Sequence, residues 1–317
     1  PRGRQPAVSQ RCAVSGHHVA GSQQYPKGAL YLVATPIGNL ADMSLRALHV
    51  LALVDVVACE DTRVTGNLLR HLGLDKKLIA LHQHNEVGGA QGVLALLQEG
   101  QRVAYVSDAG TPAVSDPGAH LVQAAHAAGL TVVPLPGASS VTTAMSAAGD
   151  AHANGFRFVG FLPSKGAARV NVLQDVLGGR DSIVLFEAPH RIEALARELC
   201  EVLPQGRVTI CRELTKQFES ITTLNIGEMS GWLKADANRL RGEFVLVVHG
   251  VPRADEEGQA LTPAMDALLK ELVRHVPVKL AAGLVADAAG LPRKALYDLA
   301  LAHRSAENDD DLGDRSE

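Results

Sequence analysis

The stretch Ser107-Asp108-Ala109-Gly110-Thr111-Pro112-Ala113-Val114-Ser115-Asp116-Pro117-Gly118 follows the β-branched run Arg102–Val106 and precedes a helix-period segment. A second stretch, Pro134-Leu135-Pro136-Gly137-Ala138-Ser139-Ser140, follows Leu130–Val133 and again leads into a helical pattern. Strand, then a loop rich in Gly, Pro and Ser, then helix is how an open parallel sheet builds a ligand crevice at its carboxyl edge. Glycine lets the backbone approach a ligand closely, and proline holds a loop open without a donor. Two such loops so close in sequence predict one shared small-molecule site. Neither reads G-x-G-x-x-G or G-x-x-x-x-G-K-[ST], so the ligand is expected to be neither a dinucleotide nor a nucleoside triphosphate.

Reading outward, Ala29–Ala34 is a strand that runs into the turn Thr35-Pro36-Ile37-Gly38-Asn39. Ser44 is placed to cap a helix with Leu45, Leu48, Leu51 and Ala52 on one face. Val54–Cys59 reads as a strand ending in Glu60-Asp61-Thr62-Arg63, followed by a helix to Leu72 that Gly73 closes. A strand near Lys77–Leu81, the polar run His82–Glu86 and a helix to Gln98 complete the alternation. Five parallel strands with right-handed crossovers follow from that order. Beyond the second loop come strands at Arg157–Phe161 and Ser182–Phe186, with helices starting at Ala167 and ending near Val202. Arg207–Cys211, Phe218–Leu224 and Phe244–His249 read as consecutive strands with no helix between them, which predicts a mixed sheet.

The expected organisation is an α/β chain with a first domain over 28–137 and a second over 138–250. A helical extension over 260–304 follows, with helices at Pro263–Val276, Val278–Ala289 and Pro292–Ala302. It resembles a helix-turn-helix, and a hairpin that only packs on the body fits the pattern equally well. Residues 1–27 and the acidic tail 305–317 are expected to be disordered.

The 317 residues are 46% hydrophobic and only 3% aromatic, so the cores must be Leu, Val, Ile and Ala. A net charge of −4 gives no basic footprint, and any RNA contact has to come from local patches. Cys12, Cys59, Cys200 and Cys211 lie far apart without a C-x-x-C pair, which argues against a disulfide framework or zinc site. His82-x-His84 lacks a recognisable third ligand, so no metal is expected. No apolar run approaches the length of a membrane span, and the first residues lack a secretory apolar core. The expectation is a reduced, soluble, cytoplasmic protein.

Several runs together resemble one family. They are Leu30–Leu40, Ala58–Arg63, Ser107–Gly118, Pro136–Ser140, Phe186–Arg191, Cys211–Lys216 and Gly242–Phe244. In this order they are similar to the ribosomal RNA small subunit methyltransferase I family, within the tetrapyrrole (corrin/porphyrin) methylase superfamily. The resemblance spans roughly residues 28–250, and the ribosomal branch also carries a helical extension. It implies a homodimer with S-adenosylmethionine bound in a cleft between two domains. It also implies 2′-O-methylation of the ribose of a 16S rRNA cytidine in the 30S subunit, at the position conventionally numbered 1402. Position by position, it implies cofactor binding by Pro36, by Asp108, Ala109, Gly110, Thr111 and Val114, by Ser139 and Ser140, and by Phe186, Glu187 and Leu214. Tetrapyrrole methylases usually carry G-x-G-x-G-D in the first loop and G-D-P in the second. Here Thr35–Leu40 and Gly110-Thr111-Pro112 stand instead, which disfavours a tetrapyrrole substrate.

A ribose hydroxyl is a poor nucleophile, so a base near the crevice would help. Asp61, Glu187 and Glu213 are the catalytic candidates, with Asp108 a further carboxylate at a strand end. Arg63, Arg191 and Arg212 are candidates for RNA phosphates, with Lys279, Arg293 and Lys294 on the helical extension. Each carboxylate could equally be a structural cap or ion-pair partner. Two rival functions remain at this point: C-methylation of a tetrapyrrole ring, and a non-catalytic ribosome-assembly factor.

Overall fold

The computed structural model describes residues 19–81, 86–164, 166–251, 261–289 and 291–313. His82 and His84 therefore lie outside the described residues, as do residues 1–18 and 314–317.

The first half alternates strand and helix: β1 (Ala29–Val33), α1 (Leu45–Leu53), β2 (Val56–Cys59), α2 (Thr62–His71), β3 (Lys77–Ala80), α3 (Glu86–Gln98), β4 (Val103–Val106), α4 (Ala119–Ala127), β5 (Thr131–Leu135) and α5 (Ser140–Ala148). The strands form one sheet in the order β3-β2-β4-β1-β5. Every recorded pairing in it is parallel. All four residues of β2 and of β4 are buried, as a sheet covered by helices on both faces requires. Ser44 caps α1 as expected, its Oγ accepting the Ala47 N–H. β1 lies beside β4 and β5, so the loops that follow these three strands emerge side by side at one edge.

The second half comprises β6 (Phe156–Phe161), α6 (Ala167–Val176), β7 (Ser182–Glu187), α7 (Ile192–Val202), β8 (Arg207–Arg212), β9 (Ser220–Asn225), α8 (Ile226–Lys234) and β10 (Phe244–Val248). Its sheet order is β6-β7-β10-β8-β9. β10 runs antiparallel to β7 and β8, and β9 antiparallel to β8. β6 and β7 are neighbours joined through α6, the kind of crossover a parallel pair needs, and the sheet is mixed. One expectation fails here, because α8 intervenes between β9 and β10. A capping box starts it: the Asn225 and Glu228 side chains satisfy the first-turn and cap N–H groups reciprocally. The apolar residues Ile226, Met229 and Leu233 then face the core.

The two α/β halves cluster as one compact unit, made of the chain up to Gly149 with Phe156–Leu177 and Ile183–His249. The other unit joins Asp150–Gly155 and Gly178–Ser182 to the chain from Gly250 onward. In it, Asp150 accepts from the Ser182 hydroxyl and from the Gly250 N–H, both at 2.8 Å. Its helices are α9 (Pro263–His275), α10 (Val278–Ala289) and α11 (Arg293–Gly313), packed around Leu269, Val273, Ala281, Val285, Leu296 and Ala300.

Ahead of β1, Tyr25 is buried and its ring stacks at a tilt on His49, with centroids 4.9 Å apart. At the other end, α11 runs to Gly313.

Candidate functional site

The loops after β1, β4 and β5 are stitched together by backbone. Thr35 and Gly110 exchange both N–H···O=C bonds, at 3.0 and 2.9 Å, and the Thr35 hydroxyl donates to the Ser107 carbonyl at 3.0 Å. Thr111 Oγ1 donates to the Ala138 carbonyl at 3.0 Å, which ties the two Gly/Pro/Ser loops to each other. Gly110 takes φ +81°, a left-handed value that an L side chain rarely adopts. Ala113, in the same loop, also takes a left-handed φ of 64°, which is strain stored where the loop turns.

These loops face a cavity of about 460 Å³ within the first unit. Of the residues expected to bind a cofactor, Ala109, Gly110, Thr111, Val114, Ser139, Ser140, Phe186, Glu187 and Leu214 line it. Pro36 and Asp108 do not; Ile37, next to Pro36, does. Ser139 precedes α5 without a side-chain capping bond, which leaves its hydroxyl to the cavity. The opposite wall is aromatic. The chain holds six phenylalanines, and four of them, Phe158, Phe161, Phe186 and Phe244, line this one cavity. Phe158 and Phe161 both pack edge-on against Phe186, with centroids 5.0 and 5.5 Å away.

Sequence reasoning missed Phe158 and Phe161, for a geometric reason. In a regular strand residues three apart point to opposite faces. Gly160 takes φ +73° inside β6 and breaks that alternation, so both rings reach Phe186. The available signal was a glycine interrupting a strand in a chain poor in aromatics. Asp116 was also missed as a site residue, although it sits in the quoted loop and lines the cavity. Burial pushes its carboxyl up, the Ser107 hydroxyl opposes this, and the Asp108 charge adds to it.

The carboxylates expected to act as bases are mostly engaged. Asp61 caps α2 and holds Arg63 at 2.6 Å; that guanidinium lowers its carboxyl to about 2. Asp108 accepts the Asp61 N–H at 3.1 Å, and burial raises its carboxyl. Glu213 accepts from Lys216 Nζ at 3.0 Å and from the Glu243 N–H at 2.8 Å. Burial works against its ionisation, but these two donors outweigh it and hold the carboxyl below its ordinary range. Asp61 and Glu213 do not reach the cavity. Glu187 does, yet its carboxylate is fully buried. Its Oε2 lies 2.7 Å from Arg169, and its Oε1 lies 3.0 Å from Arg191 and accepts the Ala188 N–H at 2.9 Å. Both of its oxygens are therefore occupied by donors of the fold.

Two arginines expected at RNA are likewise spent on the fold. Arg191 pairs with Glu187 and donates to the carbonyls of Leu162 and Pro163. Arg212 braces the turn before β9 through Ser220 Oγ, the Arg241 carbonyl and the Phe218 carbonyl. Arg63 stays 87% exposed while paired with Asp61. In the second unit Lys279 and Lys294 are exposed, and exposed Arg293 pairs with Asp287 at 2.9 Å. Among the described residues no group of three or more His, Cys, Asp or Glu could hold a metal. No described helix is long and apolar enough to cross a membrane.

The parallel sheet, the mixed sheet apart from β10 and most of the cavity lining lie within a stretch that matches a methylase family. Residues 29–230 match the tetrapyrrole (corrin/porphyrin) methylases, and residues 259–304 match the RsmI C-terminal HTH domain. The solved methyltransferase CobJ shares the fold with a TM-score of 0.54 at 19% identity, over 71% of this chain and 95% of that one. Uroporphyrin-III C-methyl transferase from Thermus thermophilus, solved in complex with S-adenyl homocysteine, has a TM-score of 0.50 at 17% identity, over 70% and 97%. The chain is 46% identical to ribosomal RNA small subunit methyltransferase I of Escherichia coli O157:H7 over 288 residues, which is 90% of this chain and 98% of that protein. It belongs to the ribosomal RNA small subunit methyltransferase I family.

Proposed function

We propose that the chain methylates the ribose 2′-oxygen of a 16S rRNA cytidine in the small ribosomal subunit, at position 1402, with S-adenosylmethionine as methyl donor. One observation carries the reading: both Gly/Pro/Ser loops and the less exposed rings of Phe158, Phe186 and Phe244 line a single cavity. Its size lies in the range of small-molecule sites. Its make-up suits an adenosyl group joined to a charged amino-acid tail. Phe158, Phe186, Phe244 and Leu214 offer an apolar wall for a purine, and Ser139, Ser140 and Thr111 offer hydroxyls. Asp116 brings a carboxylate to the same wall, and negative charge favours a cationic ligand. Backbone at Gly110 can approach without a side chain in between.

The bound donor supplies an electrophilic methyl group, chemistry that belongs to the cofactor. The protein's part is to orient the two reactants and exclude water. Of the cavity carboxylates, Asp116 is the one to take the ribose proton, because Glu187 is committed to Arg169 and Arg191, and Glu243 to Lys216. Its raised carboxyl pKa makes it a better proton acceptor than an ordinary aspartate. A homodimer acting in the cytoplasm is part of the same proposal, supported by the family resemblance.

The test uses 30S subunits from a strain lacking this modification. Purified protein and labelled S-adenosylmethionine should add one methyl group per subunit, and mass spectrometry of nuclease fragments should place it on the ribose of that cytidine. Methyl incorporation into a base, into a tetrapyrrole or into nothing overturns the reading.

A further inference from the structure

Phe161 is at odds with the rest of the aromatic wall. It is 60% exposed, whereas Phe186 and Phe158 are partly buried and Phe244 is 2% exposed. An exposed phenylalanine alone says little. This one is held in a fixed orientation at the mouth of a ligand cavity. Its ring packs edge-on against Phe186, and Gly160 at φ +73° turns the strand to put it there. The chain beyond it is tied down as well. Leu162 and Pro163 give their carbonyls to Arg191, and Pro163 also accepts from Arg169, which is 3% exposed and paired with buried Glu187. Val114, 49% exposed, is a second large apolar side chain on the cavity lining that is open to solvent. A rigid aromatic face open to solvent at a cavity mouth is the feature that single-stranded nucleobases stack on.

We infer that Phe161 is the stacking platform for the base of the nucleotide whose ribose is methylated, once that base leaves its helix. The inference rests on the proposed rRNA reading and adds to it a subsite for a planar base, separate from the less exposed rings assigned to the cofactor. Stacking is tolerant of base identity, so Phe161 would set affinity for an unstacked nucleotide and leave the choice of base to other groups.

The experiment measures three quantities on wild type, Phe161→Ala and Phe161→Trp. They are the S-adenosylmethionine Kd by calorimetry, kcat/KM on unmodified 30S subunits, and oligomeric state by sedimentation. Base–aromatic stacking is worth about 1–3 kcal/mol per base, so Phe161→Ala should lower kcat/KM by about 5- to 160-fold. The cofactor Kd and the sedimentation coefficient should stay at their wild-type values, which also shows that the variant is folded. Phe161→Trp should restore most of the rate. A Kd weakened in parallel with kcat/KM would assign the ring to the adenine of the cofactor and overturn the inference. So would a change of oligomeric state, which would assign it to a protein contact, or unchanged kcat/KM. If wild type itself fails to methylate 30S subunits, the functional proposal is what has failed.

Discussion

Replacing Arg169 by methionine tests whether the cavity wall rests on a buried charge network. Arg169 is 3% exposed, and Glu187, its partner at 2.7 Å, is wholly buried. Arg169 also meets Glu198 at 2.5 Å and donates to the Pro163 carbonyl at 3.3 Å. Removing one partner of a buried pair leaves an uncompensated charge, at a cost of about 3–5 kcal/mol. Arg191 still holds the other Glu187 oxygen and Glu198 is partly open to water, so the loss should fall near the lower end, about 3 kcal/mol. For a cooperative unit of this size each kcal/mol moves Tm by about 2–4 °C, so Arg169→Met should lower Tm by about 6–12 °C. The double variant Arg169→Met/Glu187→Gln removes the stranded charge and should recover at least about 1 kcal/mol of that loss. Calorimetry on the full chain reads both. A Tm within about 1 °C of wild type, or a double variant no more stable than the single one, refutes the reasoning.

Gly110→Val places a β-branched residue at φ +81°, at a cost of about 1–2 kcal/mol in stability, and puts its methyl groups beside Ile37 at the cavity. Cofactor affinity should fall at least tenfold, and an unchanged titration of folded variant would put the cofactor elsewhere. Asp116→Asn should raise Tm at neutral pH. Burial lifts the folded carboxyl above its unfolded value, so the native state binds the proton more tightly and stability falls as pH rises through that window. The gain should shrink as pH drops toward about 4, where the unfolded aspartate also protonates; a gain that ignores pH counts against this account. Ending the chain after Pro252 should spare S-adenosylmethionine binding, since every residue lining the cavity lies upstream, and should abolish most methyl transfer to 30S subunits. Full transfer by the shortened chain would show that Lys279, Arg293 and Lys294 are not needed for RNA.

The parallel sheet was legible because its strands are buried on both faces. β2 and β4 have no exposed position, so they appear as short continuous apolar runs between Gly/Pro loops. α8 escaped notice for the opposite reason. It contains Gly227 and Gly231, which lower helix propensity, and its signature lies in the Asn225–Glu228 capping box rather than in a long apolar period. The loops of the site were legible as loops, since backbone geometry demands particular residues locally. Phe161 was not, because the left-handed turn at Gly160 moves it to a face that strand periodicity denies it.

Carboxylates are where sequence reasoning has least purchase, because a motif shows only some of their partners. Arg191 and Lys216 stand in the same runs as Glu187 and Glu213, whereas Arg169 and the backbone N–H of Glu243, which also hold these carboxylates, lie far away in the chain. What the fold leaves over is revealing. Glu60, Asp108 and Asp116 follow β2 and β4, and burial raises the carboxyl of each, with neighbouring carboxylates adding to the effect. Like charges gathered at one edge repel RNA phosphates and favour a cation. That edge therefore suits a positively charged methyl donor better than an RNA backbone. With Arg191 and Arg212 committed to the fold, the exposed cations Lys279 and Lys294 are the ones to test under the proposed rRNA reading. Neutralising both should weaken 30S binding and flatten its salt dependence, because each lost phosphate contact removes about one counterion from the slope.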